Sequence, residues 1–506
     1  MTNDGFLSDL AASVGIARGP ARYDVAPPFS PDARFPELAP LTTPGAARND
    51  VHATVRESLR LLQLDAARYG TAAWNPLGGI VHPGDTVVVK PNFVRDFRES
   101  SPDNADCVIT HGSVVRAVVD YVYLALEGRG RIVVADAPHN DADFTEIRRL
   151  TSIDAIAGFY RDQVRFPIEV YDLRPEAATK VDGVIVAHTA LAGDPAGYVA
   201  VDLGAASAFV EIGELCRLLY GSEYDRSELV SHHTGGRHEY LISKTVLNAD
   251  CVISVPKMKT HKKTGITVNL KNLVGINGNK NWLPHHREGT PGQGGDQFAD
   301  DGLGRRTERA VVTAFKKAFP ALGPLRGLVA GPLKSVGKTV FGDTNAGTIR
   351  SGNWHGNDTT WRMAIDLNRI LFYADAAGKV HDAPVRRFFS VVDGLVAGEG
   401  NGPLDPTPVP AGVILCGRNP VAVDAMAARL MGFDVRRLPI VSRSAQAHPL
   451  PLANFALGEI RGRSNAAEFD RVLAAISGRA LAFEPHFGWK GHVELSEAAD
   501  EAGVLA

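Results

Sequence analysis

Short β-branched runs recur along the chain, each followed by a helical pattern or by a loop rich in charge. The segment HPGDTVVVKPNFV sets residues 87–89 after a Pro-Gly turn and stops at Pro91, the pattern of a buried strand. Val114, Val115, Val118, Val119 and Val122 then recur at helical spacing after Ser113, and GRGRIVVADAP supplies a second strand. Strand, helix and strand within about fifty residues predict a βαβ unit and a parallel sheet.

Further strand-like runs lie at 168–173, 182–187, 250–257, 387–394 and 411–417. The last leads into a well-marked helix, with Asn419 as N-cap, Pro420 at the first helical position and Gly432 where a stop belongs. Leu59, Leu62 and Tyr69 suit a surface helix over 51–69, and no internal repeat is visible. Residues 258–305 lose apolar periodicity to Gly, Asn, Lys and His, and 318–362 is again Gly-rich, so both read as loop excursions. The fold class expected is α/β: a mixed, largely parallel sheet with helices on both faces, plus long Gly/Lys/His-rich loop insertions. At 506 residues one core is too small a description. The expected organisation is an N-terminal arm at 1–50, rich in Ala and Pro, then a core at 51–435. That core divides into two lobes, about 51–205 and 206–435, with a loop-rich insertion at 258–362 and an extension at 436–506.

Charge narrows the function classes. Lys and Arg number 54 against 57 Asp and Glu, a formal charge of −3, which argues against nucleic acid or an acidic membrane as partner. No basic region precedes an apolar core at the N-terminus, and no run of 18 uncharged apolar residues occurs, so neither a secretory signal nor a membrane span is read. Cys107, Cys216, Cys251 and Cys416 lack CxxC spacing and suit reduced thiols in a cytoplasmic protein, with no iron–sulfur cluster or zinc ribbon. No GxGxxG follows a strand, so no flavin or nicotinamide fingerprint is present. The stretch GPLKSVGKT at 331–339 approaches a phosphate loop, but five residues separate its glycines where four are needed, and Pro332 removes an N–H.

The chemistry sits at strand ends. Residues 87–89 run into Lys90 and Asn92, 132–135 into Asp136 and His139, 253–255 into Lys257, Lys259 and His261, and 391–392 into Asp393, Glu399 and Asn401. Open α/β sheets bind ligands outside the carboxyl ends of their strands. Lys257, Lys259, Lys262, Lys263, Lys271 and Lys280 fall within 24 residues beside Asn269, Asn272 and Gly275, which suits an anionic ligand, with Lys262 and Lys263 read as simply solvated. His111 and Ser113 open a helix, another natural anion site, and His111 or His261 suits acid–base work near neutral pH. The catalytic candidates are thus His111, Lys257, His261, Lys271 and Asp393. Lys90, Asn92, Ser113, Lys259, Asn272, Lys280 and Asn401 are the substrate-binding candidates. Asp136, Asp393 and Glu399 together would suit Mg²⁺ or Mn²⁺. His232, His233, His238, His285 and His286 show no HExxH spacing for a transition metal. Asp424, among apolar helix neighbours, needs a cation or several N–H donors; either a structural salt bridge or support of the cluster from behind satisfies it.

The ordered series VVVKPNFV, THGSVVRAVVDY, RIVVADAP, ADCVISVPKMKTH, VNLKNLVGINGNK, VVDGLVAGEGNGP and NPVAVDAMAARLMG resembles the family called domain of unknown function 362, over roughly residues 80–435. The resemblance implies an α/β fold. Many relatives carry a ferredoxin-like module with CxxC clusters, which this chain lacks, and the family implies no general activity. The leading expectation is an enzyme acting on a phosphorylated or carboxylated small molecule by metal-assisted group transfer. A non-catalytic metal- or cofactor-binding protein, or an oxidoreductase served by a separate electron-transfer partner, stays open. So does a homo-oligomer.

Overall fold

In a computed structural model the β-branched runs form the centre of one eleven-stranded sheet. The structure describes residues 9–495 except 32–33, 44–48, 103, 182–183, 223–224, 301–346 and 478–479. The phosphate-loop-like stretch at 331–339 and most of the Gly-rich excursion at 318–362 therefore lie outside the described residues.

In chain order the elements that carry the argument begin with β1 (Ser13–Arg18), α1 (Asp50–Leu61), β2 (Thr86–Pro91), α2 (Gly112–Leu126), β3 (Arg131–Asp136) and β4 (Glu169–Asp172). They continue with β5 (Cys251–Val255), β6 (Lys257–His261), β7 (Gly265–Thr267), the single turn α3 (Asn269–Asn272) and α4 (Thr360–Tyr373). Last come β8 (Arg387–Glu399), β9 (Thr407–Val409), β10 (Val413–Gly417), α5 (Pro420–Leu430) and β11 (Arg461–Ser464). Across the sheet the order is β11-β1-β10-β8-β5-β2-β3-β4. The run from β8 to β4 is parallel throughout. β10 is antiparallel to both of its neighbours.

Successive residues of a strand face opposite ways, and the central strands are apolar on both faces because both are covered. Val87, Val89 and Ile253 enter one core with α1 and α2. Val88 and Val252 enter the other with α4 and α5. The caps agree with the sequence pattern. The Asn419 side chain accepts from Val421 and Ala422 N–H, and Gly432 takes a positive φ of 88° just past α5.

Two departures are instructive. The single sheet takes strands from both expected lobes, since β2 pairs directly with β5, while β1 and β11 come from the expected arm and extension. Periodicity marks where a strand lies but not which strand it neighbours. The run at 182–187 also forms a strand, Val184–Ala190, yet it pairs with Glu176–Val181 in a separate hairpin. Among the described residues no helix is long and apolar enough to cross a membrane, and all four cysteines are buried free thiols.

Candidate functional site

At the ends of β2 and β3, Lys90 and Asp136 form a buried ion pair, with Nζ donating to Oδ1 at 2.7 Å. Lys90 Nζ also donates to Asn272 Oδ1 and the Pro91 carbonyl, and Phe93 N–H donates to Asp136 Oδ2 at 2.7 Å. The pair is thereby satisfied on every side, which a buried charge needs. Gly275 lies against it so closely that a Cβ would fall 1.8 Å from Asp136 Oδ1 and 2.6 Å from Lys90 Nζ.

A second buried pair closes the gap between β6 and β8. Lys257 Nζ donates to Asp393 Oδ2 at 3.0 Å and to Tyr23 OH at 2.5 Å, while Tyr23 OH donates to Asp393 Oδ1 at 2.7 Å. Burial and the adjacent carboxylate push the Tyr23 hydroxyl well above its ordinary value, so it keeps its proton. The Tyr23 ring stacks on His111 with centroids 4.1 Å apart. His111 Nδ1 accepts from Ser113 N–H at 3.1 Å, capping α2, and burial pulls the ring down to about 4, leaving it neutral. His111 N–H in turn donates to Asp393 Oδ2.

Between these pairs and the loop after β7 opens a cavity of about 410 Å³. Lys259, Lys262, Lys263, Lys271 and Lys280 line it, while its carboxylate, Asp136, is already held by Lys90. Lys259 Nζ donates to the Val108 and Pro403 carbonyls, and Lys280 Nζ to the Ala137 carbonyl. Neither has an ion-pair partner among the described residues. Burial pulls both down to about 7, and burial with the nearby Lys90 charge pulls Lys271 to about 8. Lys262 and Lys271 have no hydrogen-bond acceptor for Nζ among the described residues. Asn92 Oδ1, Asn140 Oδ1 and Thr267 Oγ1, on lining residues only 6%, 7% and 3% exposed, have no hydrogen-bond partner among the described residues. Buried polar atoms seldom stay unpaired.

Three neutral histidines complete the wall. His261 Nδ1 accepts from the Lys263 and Thr264 N–H groups, which puts its ring proton on Nε2. His285 has the opposite tautomer: Nδ1 donates to the Leu283 carbonyl at 2.8 Å and Nε2 carries the lone pair. Burial, reinforced by neighbouring lysines, holds both rings well below the ordinary histidine value. His139 donates Nδ1–H to Asp141, a carboxylate also approached by Lys180 and Arg95.

The family model described as Domain of unknown function (DUF362) matches residues 87–190 and 177–429, more than half of the chain and every element from β2 to α5. The chain belongs to that family. No curated protein matches it. A crystal structure of a protein from Thermotoga maritima aligns over 71% of this chain at 11% identity with a TM-score of 0.29. The match spans 53% of that protein, about half its length.

In this DUF362 chain the residues singled out from sequence divide between the cavity and its supports. Asn92, Asp136, Lys259, His261, Lys271, Asn272 and Lys280 line the cavity. Lys90 sits directly behind, bound to Asp136. His111, Ser113, Lys257 and Asp393 do not line it; they form the buried cluster beside it, and Asn401 does not line it either. Asp136, Asp393 and Glu399 do not converge. Each carboxylate is engaged where it stands, by Lys90, by Lys257, and by the Glu484 N–H respectively, and no three His, Cys, Asp or Glu side chains gather as metal ligands among the described residues. This donor set does not fit a carboxylate-held Mg²⁺ or Mn²⁺.

Asp424 has N–H donors and no salt bridge among the described residues. It accepts from Asn269 N–H (2.8 Å), Asn269 Nδ2 (3.1 Å) and Leu270 N–H (2.9 Å), gripping the start of the turn that carries Lys271 and Asn272. Burial raises it to about 7 against those three donors. Sequence reasoning passed over His285, Asn140 and Thr267 as cavity residues. The WLPHHREG stretch that holds His285 stood out only as metal chemistry, because nothing local reveals that a carbonyl two residues away fixes its tautomer.

Proposed function

We propose that the protein is an enzyme acting on a phosphorylated or carboxylated small molecule bound in the lysine-lined cavity. One observation carries the reading: five lysines line a space of about 410 Å³ whose carboxylate is already neutralised, so the wall has an excess of positive charge. Cavities of this size suit metabolites rather than macromolecules. The ammonium groups of Lys262 and Lys280 hold the anion beside Lys271, and Asn92, Asn140 and Thr267 belong to the same lining. His285 offers an unprotonated Nε2 as base, and His261 an Nε2–H as donor, so proton movement has both partners in one wall.

The test has two stages. Calorimetry with sulfate and inorganic phosphate should give saturable binding that Lys280→Ala weakens by at least about tenfold with the fold intact. A panel of phosphorylated and carboxylated metabolites, followed by mass spectrometry, should then yield a product whose formation His285→Gln suppresses. No anion binding at all rejects the reading. Saturable binding with every ligand recovered unchanged makes the protein a carrier.

A further inference from the structure

Resting on the anion-site reading, we propose that Lys271 Nζ attacks the carbonyl carbon of a small anionic oxo compound held in the cavity and forms an imine with it. Every other lysine whose role is clear here is committed. Lys90 and Lys257 are locked to carboxylates, Lys259 and Lys280 donate to backbone carbonyls, and Lys263 donates to the His285 carbonyl. Lys271 alone combines three properties. Its Nζ meets no acceptor among the described residues, it lines the cavity, and its backbone turn is fixed by Asp424 and by Asn368, whose Nδ2 donates to the Leu270 carbonyl at 2.9 Å. Lys262 shares the first two, and burial, with Arg95 and Lys180, lowers it as well, but the Glu99 carboxylate opposes that lowering, which no carboxylate does at Lys271. Burial, with the nearby Lys90 cation adding to it, lowers Lys271, so the amine loses its proton far more readily than an ordinary lysine.

The chemistry balances without a redox partner. The Nζ lone pair forms the C–N bond, the carbonyl oxygen leaves as water with both amine protons, and the imine nitrogen takes up one proton from solvent. The resulting cation withdraws electrons from the adjacent carbon, which suits cleavage or proton abstraction next to the former carbonyl. Lys262 and Lys280 supply the hold on the substrate's anionic group, and His285 Nε2 stands ready to take a proton.

Glyoxylate with sodium cyanoborohydride at pH 7 tests this on the full chain, because hydride traps the imine as a stable carboxymethyl group. Peptide mapping should place one such group per chain on Lys271, formed at least about tenfold faster than on surface lysines, whose amines stay protonated at this pH. Saturating sulfate should suppress it. Lys271→Arg keeps the charge and should still bind sulfate while losing the label. Sulfate binding with Lys271 left unmodified overturns the imine and leaves the anion site standing; loss of both binding and label overturns the anion-site reading itself.

Discussion

Anion affinity in the cavity should fall steeply as pH rises, and the size of the fall follows from two lysines. Sulfate, which offers Lys271 no carbonyl to attack, binds the ammonium form and so holds Lys271 and Lys280 protonated, raising their pKa values above those of the empty site, about 8 and about 7. Binding is therefore at full strength below pH 7 and is lost progressively above it, with proton uptake in that range. At pH 6 both groups are almost fully charged. At pH 9 about 9% of Lys271 and about 1% of Lys280 remain so, and requiring both at once weakens the affinity by about 1000-fold. Sulfate is the right probe because its own charge is constant from pH 6 to 9. Calorimetry in two buffers of different ionisation enthalpy should register an uptake of about two protons per sulfate at pH 9. Lys280→Ala should shrink the fall between pH 6 and 9 to about tenfold, and Lys271→Ala to about a hundredfold. An affinity that is flat over this range, or that rises, refutes the reasoning, because it would mean the lysines are either not in contact with the anion or not lowered.

Three further outcomes are expected. Gly275→Ala forces a methyl into the Lys90–Asp136 pair and should cost about 3–5 kcal/mol in urea unfolding, as separation of a buried pair does; a loss under 1 kcal/mol contradicts the packing. Asp424→Ala strips the acceptor from two buried backbone N–H groups and should cost about 2–4 kcal/mol while also weakening sulfate binding, since the turn bearing Lys271 loses its grip. Asp393→Asn leaves Lys257 buried without its counter-charge and should destabilise by about 3–5 kcal/mol, yet the folded protein should bind sulfate within about twofold of the wild type. A large loss of sulfate affinity there would tie the Tyr23 cluster to the cavity after all.

The strands and their order of appearance were legible because β-branched runs between turns have few other ways to be buried. So was the α5 cap, where Asn419, Pro420 and Gly432 each satisfy a distinct backbone need. The lysine loop was legible as a cluster, since Lys259, Lys271 and Lys280 do line one cavity. What sequence did not separate is Lys257 from Lys271. Both follow apolar residues in the same stretch, yet one meets Asp393, 136 positions along the chain, and the other meets no acceptor among the described residues. That difference comes from which strands are neighbours, which periodicity does not encode. Tyr23 was invisible for the same reason. It sits in a Pro-rich segment with no repeating pattern, and its role depends on a stacking contact with His111 and on a carboxylate 370 positions away. The carboxylates misled in the opposite direction, because residues that look like a hard-metal set from their strand-end positions were each spent on the nearest cation or N–H.

The placement of β1 has a consequence for how the chain matures. Ile16 pairs with Leu415 on one side and Ser464 on the other, and Arg18 N–H reaches Asn465, 447 positions away. The strand therefore lacks its β11 neighbour until the chain has been synthesised some 447 positions further on. During that wait Val14 and Ile16, fully buried at the end, present apolar surface on a strand with an open edge, a state prone to mispairing. Such distant pairing slows the final step of folding. Until β1 docks, Tyr23 just beyond it has no fixed route to Asp393, so the buried cluster next to the cavity is among the last features to form.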